Sequence, residues 1–288
     1  MKQKILITGG AGMLACDLKD YFIKHNTIDV ICLDKQKLDI TNSQNVREAF
    51  LAYRPDVVIH TAALTDVDYC EVHKEIAYKV NIEGTKNIAV NSGMINAKLV
   101  YISSCGLFGD DIKEYSEDDQ VVLKTEYSKS KYLGEAEVSE NCGKYLIIRP
   151  GWLYGGNITQ KKNFVYKRYI EALNNPTIKC ANDKYGCPTY TVHLAQKLSQ
   201  LIDSGVNGLF HVTNSGYSTR YQYVKKIIDC FELKNDVIGV DSKNFVRNAP
   251  VPDCEILKNG RLISDGLDLL PHWSDALEEF ISVLKKNM

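Results

Sequence analysis

Near the N-terminus, the run Ile5-Leu6-Ile7-Thr8-Gly9-Gly10-Ala11-Gly12-Met13-Leu14-Ala15 restricts the fold more than any other stretch. An apolar, β-prone segment from Lys4 to Thr8 stops at two glycines. Met13, Leu14, Leu18, Tyr21 and Phe22 then recur at helical spacing up to His25, which spells strand, tight turn, helix. Gly9 suits the turn, Gly12 lets a ligand approach the backbone, and the small Ala15 lets the helix sit against the strand. Unpaired amides near Met13 and Leu14, backed by the positive end of the helix dipole, would face a pyrophosphate. A glycine trio is weak by itself, but the next β-like run, Asp29 to Asp34, ends in an acid 25 residues after Gly9. A carboxylate at that strand tip is placed to hold an adenosine ribose 2′-hydroxyl, whereas Lys35 beside it suits a 2′-phosphate. The expected cofactor is therefore a nicotinamide dinucleotide, NADH or NADPH.

The strand-helix rhythm continues. A polar loop from Gln36 ends in a helix cap at Asn42, followed by an amphipathic helix to about Tyr53. Asp56 to Ala63 reads as a strand running into small residues, Ala62 and Ala63, that leave room for a flat cofactor. A helix is expected from about Lys74 to Asn91, then a strand over 97–104 ending in Ser103 and Ser104. An acidic, irregular loop over 105–126, a helix from Tyr127 to about Val138 and a buried strand over 144–149 complete this half. Five strands alternating with helices predict an α/β fold, a Rossmann-type doubly wound parallel sheet. Beyond Gly151 the rhythm loosens, with helices expected near 164–174, 191–203, 220–232 and 274–286 and a strand over 208–213. We divide the chain at 1–155, an NAD(P)-binding domain, and 156–288, mainly a smaller α/β substrate-binding domain that walls the cleft outside the strand ends and parts of which can return to the first.

Composition removes several classes of function. The formal net charge of −1 gives no electrostatic argument for nucleic acid or an anionic membrane. The N-terminal apolar run is short and leads straight into the glycine turn, unlike a signal peptide, and no apolar run approaches the ~20 residues that span a bilayer. A cytoplasmic protein is expected, with its nine cysteines, an odd number without a C-x-x-C pair, reduced and mostly buried. No metal site is selected by the spacing of the carboxylates. A homodimer is left open.

For chemistry, the candidates are Ser104, Tyr127 and Lys131. A tyrosine and lysine at i and i+4 share a helix face. At ~4.5 Å and an effective dielectric of ~20 the ammonium favours phenolate by roughly 3.5 kcal/mol, which would lower a tyrosine pKa of ~10 by two or three units. Such a phenol exchanges a proton with a carbonyl or alcohol oxygen near neutral pH, and Ser104 can hydrogen-bond the same oxygen. Tyr-x-x-x-Lys occurs twice, and position separates the two. Tyr127 opens the helix after the strand ending in Ser104, whereas Tyr221/Lys225 lies on a later helix and reads as a packed tyrosine with a solvated lysine.

Thr8-Gly9-x-x-Gly12-x-x-Ala15, His60-x-Ala62-Ala63, Ser103-Ser104 before Gly109, and Tyr127-x-x-x-Lys131 followed by Gly134-Glu135 resemble the extended short-chain dehydrogenases/reductases. Leu38-Asp-Ile-Thr41, Arg149-Pro-Gly-Trp152-Leu-Tyr-Gly155, Asn163-Phe-Val165, Gly186-x-Pro188-Thr-Tyr190 and Gly208-Leu-Phe-His211 are most similar to the dTDP-4-dehydrorhamnose reductases. The resemblance implies reduction of the C4 keto group of a nucleotide-activated 6-deoxy sugar. In it Tyr127 is the proton donor, Lys131 lowers the Tyr127 pKa and holds the nicotinamide ribose, and Ser104 orients the carbonyl. It also implies that Asp39 and Ile40 contact adenine, that Ala62 and Ala63 line the cofactor, and that Cys105 and Trp152 face the sugar. The chain departs from that pattern at Cys105-Gly106, where the family carries an acid and an aromatic, at His193 in place of an Asp, and at Pro250-Val-Pro-Asp253. Another nucleotide sugar as substrate therefore stays open. So do two alternatives: a sugar-nucleotide epimerase of the same superfamily, and a non-catalytic nucleotide-sugar-binding subunit, which typically lacks the Tyr/Lys pair that this chain keeps.

Overall fold

Each strand of the first half is apolar on both faces because helices cover both faces of the sheet. The structure, a computed structural model, describes all residues other than Met1, Asn26 and Lys161. Its first half runs β1 (Gln3–Thr8), α1 (Met13–Phe22), β2 (Ile28–Leu33), α2 (Ser43–Tyr53), β3 (Val57–His60), α3 (Val67–Val72), α4 (Lys74–Tyr78), α5 (Gly84–Met94), β4 (Lys98–Ile102), α6 (Glu126–Asn141) and β5 (Tyr145–Pro150). These five strands lie in the order β2-β1-β3-β4-β5, all parallel. Side chains alternate across the sheet: Ile5 and Ile7 pack with Leu14, Leu18 and Phe22 of α1, whereas Leu6 packs with Val46 and Phe50 of α2 and Ile88 of α5. Each such fully buried Leu or Ile contributes about 1.5–3 kcal/mol of transfer free energy. From β1 the chain moves outward to β2 and then back past β1 to β3. The strand order thus reverses between β1 and β3, and a crevice opens there at the carboxyl ends.

The helix expected over Lys74–Asn91 starts earlier and is broken. Asp66 caps α3 by accepting from the Tyr69 amide at 3.0 Å, and a π-helical turn over Lys79–Glu83 separates α4 from α5. The wider turn carries Asn81 into the interior, a shift that a 3.6-residue period does not announce.

The second half comprises β6 (Trp152–Tyr154), α7 (Phe164–Asn174), β7 (Thr177–Ala181), β8 (Tyr185–Gly186), β9 (Pro188–Tyr190), α8 (Thr191–Asp203), β10 (Gly208–Val212), β11 (Asn214–Ser215), β12 (Ser218–Thr219), α9 (Arg220–Cys230), β13 (Asp236–Val240), β14 (Cys254–Glu255), α10 (Gly260–Ser264), β15 (Leu270–His272) and α11 (Trp273–Lys285). Two of these elements belong to the main sheet. β10 pairs parallel with β5 as the sixth strand, Phe210 opposite Ile148, and α8 sends Leu194, Leu198 and Leu201 into the same layer as α1. The remainder forms short two- and three-stranded sheets around an aromatic core of Trp152, Tyr154, Tyr190, Tyr223 and Phe280. In the 105–126 segment, expected as an acidic loop, Leu107 and Phe108 are fully buried, Phe108 stacks on Tyr115 at 4.5 Å, and Tyr115 bridges to Leu257.

Candidate active site

A cleft of about 670 Å³ opens over the crevice. Its floor is the glycine turn. Gly9 has φ +70°, and a Cβ on it would lie 2.9 Å from the Ala62 backbone, so only glycine lets the β1 and β3 loops meet here. Gly12 is the N-cap of α1 and supplies no side chain, the first turn holds no acid, and among the described residues the Met13 and Leu14 amides have no intramolecular acceptor. The α1 terminus thus presents donors and the positive end of its dipole to the cleft. Gly9, Gly12, Met13, Leu14, Lys35, Ala62 and Ala63 all line it. A dinucleotide fits this floor: the amides are open, the backbone is bare at Gly9 and Gly12, and the loop after β3 carries the small Ala62 and Ala63.

Behind the floor, His60 locks β1 to the helix layer. Its Nδ1 lies 2.8 Å from Thr8 Oγ1 and its Nε2 3.2 Å from Thr85 Oγ1. Because Thr85 donates its proton to the Asn81 carbonyl, it accepts from Nε2–H, and Nδ1 accepts from Thr8. Burial pulls the His60 pKa down to about 3, with the nearby Lys131 acting in the same direction, so the ring stays neutral.

Tyr127, Lys131, Ser104 and Cys105 share the next wall. Thr125 caps α6 in a reciprocal capping box with Ser128, which fixes where the helix begins and so places Tyr127 in its first turn. Ser104 follows the carboxyl end of β4. Lys131, 1% exposed, lies with Nζ 4.2 Å over the Tyr101 ring, and α6 seats that closely because Gly134 has no Cβ to strike the Tyr101 hydroxyl. One turn on, Glu135 accepts two hydrogen bonds from Arg149 of β5, at 2.8 and 2.7 Å, and one from Ser103 at 2.5 Å. Asn81 ties the β3 loop to α6 through Leu64 and Ser130.

The electrostatics differ from the expectation that Lys131 pulls the Tyr127 pKa down. Burial pushes the Tyr127 phenol up, with the Ser104 hydroxyl opposing, and pulls the Lys131 ammonium down to about 7, with Glu135 opposing. Desolvation is the largest cause for both groups because both sit in the same water-poor wall. Burial also raises the Cys105 thiol, Glu255 being the next cause.

The opposite wall was only partly foreseen. Trp152 lines the cleft and is 8% exposed, most of its ring being packed in the core. The Arg220 guanidinium stacks on its ring at 3.4 Å, and its Nε1 donates to Glu255 Oε2 at 2.5 Å. Lys162, Lys184, Arg247 and Glu255 complete this wall, and no local motif marked any of them. Three predicted residues do not line the cleft. Asp34 Oδ1 accepts from the Gln36 and Lys37 amides beside the turn, Asp39 accepts from the amide and hydroxyl of Thr41, and Ile40 is buried against Gly84. Tyr221 and Lys225 are also absent from the lining, Lys225 being exposed on α9. No helix among the described residues is long and apolar enough to cross a membrane.

Comparison with known proteins agrees with this geometry. A spore coat polysaccharide biosynthesis protein, SpsK, of Bacillus subtilis is 33% identical over 279 residues, covering 96% of each chain. The dTDP-4-dehydrorhamnose reductase of Mycolicibacterium smegmatis is 32% identical over 289 residues, 99% of this chain and 86% of that one. The solved dTDP-4-dehydrorhamnose reductase of Bacillus anthracis in complex with NADP has a TM-score of 0.93 at 34% identity, covering 98% of this chain and 100% of that one. Residues 3–286 match the family profile described as RmlD substrate binding domain, and the chain belongs to that family.

Proposed function

We propose that the chain reduces the C4 keto group of a dTDP-linked 4-keto-6-deoxy sugar, dTDP-4-dehydrorhamnose or a close relative, with NADH or NADPH. The observation that carries this reading is the convergence of Ser104, Tyr127 and Lys131 on the cleft floored by the α1 terminus, in a chain matched end to end by reductases. The chain is an NAD(P)-dependent oxidoreductase. Bound dinucleotide supplies the hydride. Gly9, Gly12, Met13 and Leu14 would hold its pyrophosphate, Ala62 and Ala63 its flat rings, Lys35 its adenosine ribose and Lys131 its nicotinamide ribose, while Asp34, Asp39 and Ile40, outside the cleft lining, would meet only the outer edge of its adenosine.

Tyr127 Oη donates the proton. Burial raises its pKa, so the phenol holds its proton at neutral pH and delivers it as negative charge develops on the sugar oxygen. Ser104 Oγ holds the carbonyl oxygen, and the Lys131 ammonium, when protonated, stabilises the phenolate left behind. Lys162, Lys184, Arg220 and Arg247 suit the nucleotide diphosphate, while Trp152 and Cys105 border the sugar. Residues 1–155 hold the cofactor and 156–288 supply mainly the substrate wall.

The test is absorbance at 340 nm with NADH or NADPH and enzymatically prepared dTDP-4-dehydrorhamnose. Loss equimolar with substrate is expected. Conversion of the sugar without net loss would replace this reading with an epimerase, and cofactor binding without any conversion would leave a binding subunit.

A further inference from the structure

Glu255 is the one carboxylate among the residues lining the cleft, against four lysines and two arginines. It stands on β14, which pairs with β8 so that Glu255 lies opposite Gly186. The indole of Trp152 packs on Gly186, where a Cβ would fall 2.3 Å from Cε2, and donates Nε1–H to Glu255 Oε2. The other oxygen, Oε1, lies 3.0 Å from the place where a Gly106 Cβ would be, 3.5 Å from which stands Ser104 Oγ. Glu255 therefore occupies the space beside Ser104 that a side chain at position 106 would take. Cys105 and Tyr127 both feel its charge.

Two facts make this carboxylate unusual. It sits in a cleft otherwise lined for anions, and among the described residues it makes no ion pair within 4 Å with the six cations that line the cleft, although its charge opposes the lowering of the Arg220 pKa by burial. Its Oε2 is taken by the Trp152 indole, whereas Oε1 has no hydrogen-bond partner among the described residues and stands beside the reacting groups, where it suits a neutral donor such as a hydroxyl. Resting on the reductase reading, we propose that Glu255 is a specificity-determining residue whose carboxylate accepts a hydrogen bond from a ring hydroxyl of the sugar, oriented by the Trp152 indole and admitted by the bare backbone of Gly106. It is the acid of the substrate site, delivered from the far wall rather than from the segment after Ser104.

Equilibrium binding tests this apart from turnover, with dTDP and dTDP-rhamnose as probes on the NADP-loaded protein. Glu255→Gln keeps the volume and an acceptor for Trp152 Nε1 but loses the charge. It is expected to weaken dTDP-rhamnose about tenfold, since a charge-assisted hydrogen bond becomes a neutral one, and not to weaken dTDP, which lacks the sugar hydroxyl. Glu255→Ala should weaken dTDP-rhamnose further. The double variant Glu255→Ala/Gly106→Glu, which returns a carboxylate from the other wall, should recover most of the loss, which a merely structural role would not do. Glu255→Gln binding dTDP-rhamnose like the wild type, or both probes weakening equally, would overturn the proposal. So would a wild type that binds dTDP-rhamnose no better than dTDP. Failure of the reductase reading shows separately, as absence of 340 nm oxidation with these binding preferences intact.

Discussion

Replacing Gly9 by alanine tests how the cofactor floor is built. Two costs arise. The first is conformational: φ +70° strains any residue with a Cβ by about 1–2 kcal/mol. The second is steric: the new methyl would stand 2.9 Å from Ala62 Cα and N, backbone atoms of the neighbouring β3 loop that cannot rotate away. Overpacking of this kind costs about 1–3 kcal/mol. The sum is about 2–5 kcal/mol of folding stability, and separation of the two loops should weaken the dinucleotide at least tenfold. Gly205→Ala isolates the first cost, because Gly205 has φ +74° with nothing within 4 Å of its added Cβ. Urea denaturation of the two variants and fluorescence titration with NADPH give both numbers. Gly205→Ala should lose about 1–2 kcal/mol and bind NADPH normally. Gly9→Ala matching Gly205→Ala in stability, or binding NADPH like the wild type, would refute the close-approach argument.

Two further predictions concern the buried polar network. Glu135→Ala leaves the 3%-exposed Arg149 guanidinium without its carboxylate and Ser103 without its acceptor, and should cost about 3–5 kcal/mol in urea melts; a loss below about 1 kcal/mol contradicts the assigned pairing. His60 and His211 are both held neutral by burial, with pKa values pulled down to about 3. The unfolded chain takes up those protons near pH 6.5 and the folded one does not, so stability falls as pH drops below 6.5, by about 2 kcal/mol per histidine at pH 5. A urea midpoint that is flat from pH 6.5 to 5 would refute this, and His211→Gln should remove its share of the slope.

The parts legible from the chain alone are those set by local spacing. The β1-turn-α1 unit, the five-strand rhythm and Tyr127 one turn before Lys131 follow from periodicity, caps and glycines within a few residues. What escaped is set by pairing over long distances. Glu255 meets Trp152 across 103 residues because β14, two residues long, pairs with β8, and no period marks a two-residue strand. Asn81 turns inward at a π turn. That parts of the second half return to the first domain was expected, but not which ones: β10 and α8 rejoin the main sheet although about two thirds of the chain separates them from β1. The direction of the Tyr127 pKa is likewise not legible from spacing, because the depth of the wall decides the cost of desolvation.

The most direct test of the central claim follows the transferred atoms. Wild-type protein and Tyr127→Phe are mixed in single turnovers with dTDP-4-dehydrorhamnose and NADPH carrying deuterium at the transferable nicotinamide position, and the products are read by NMR. Deuterium at C4 of the sugar is expected with the wild type. With Tyr127→Phe that transfer should slow at least a thousandfold while NADPH affinity stays within about twofold. Deuterium retained on the dinucleotide as the sugar is converted, or equal transfer by the two proteins, would contradict the reductase and the role given to Tyr127.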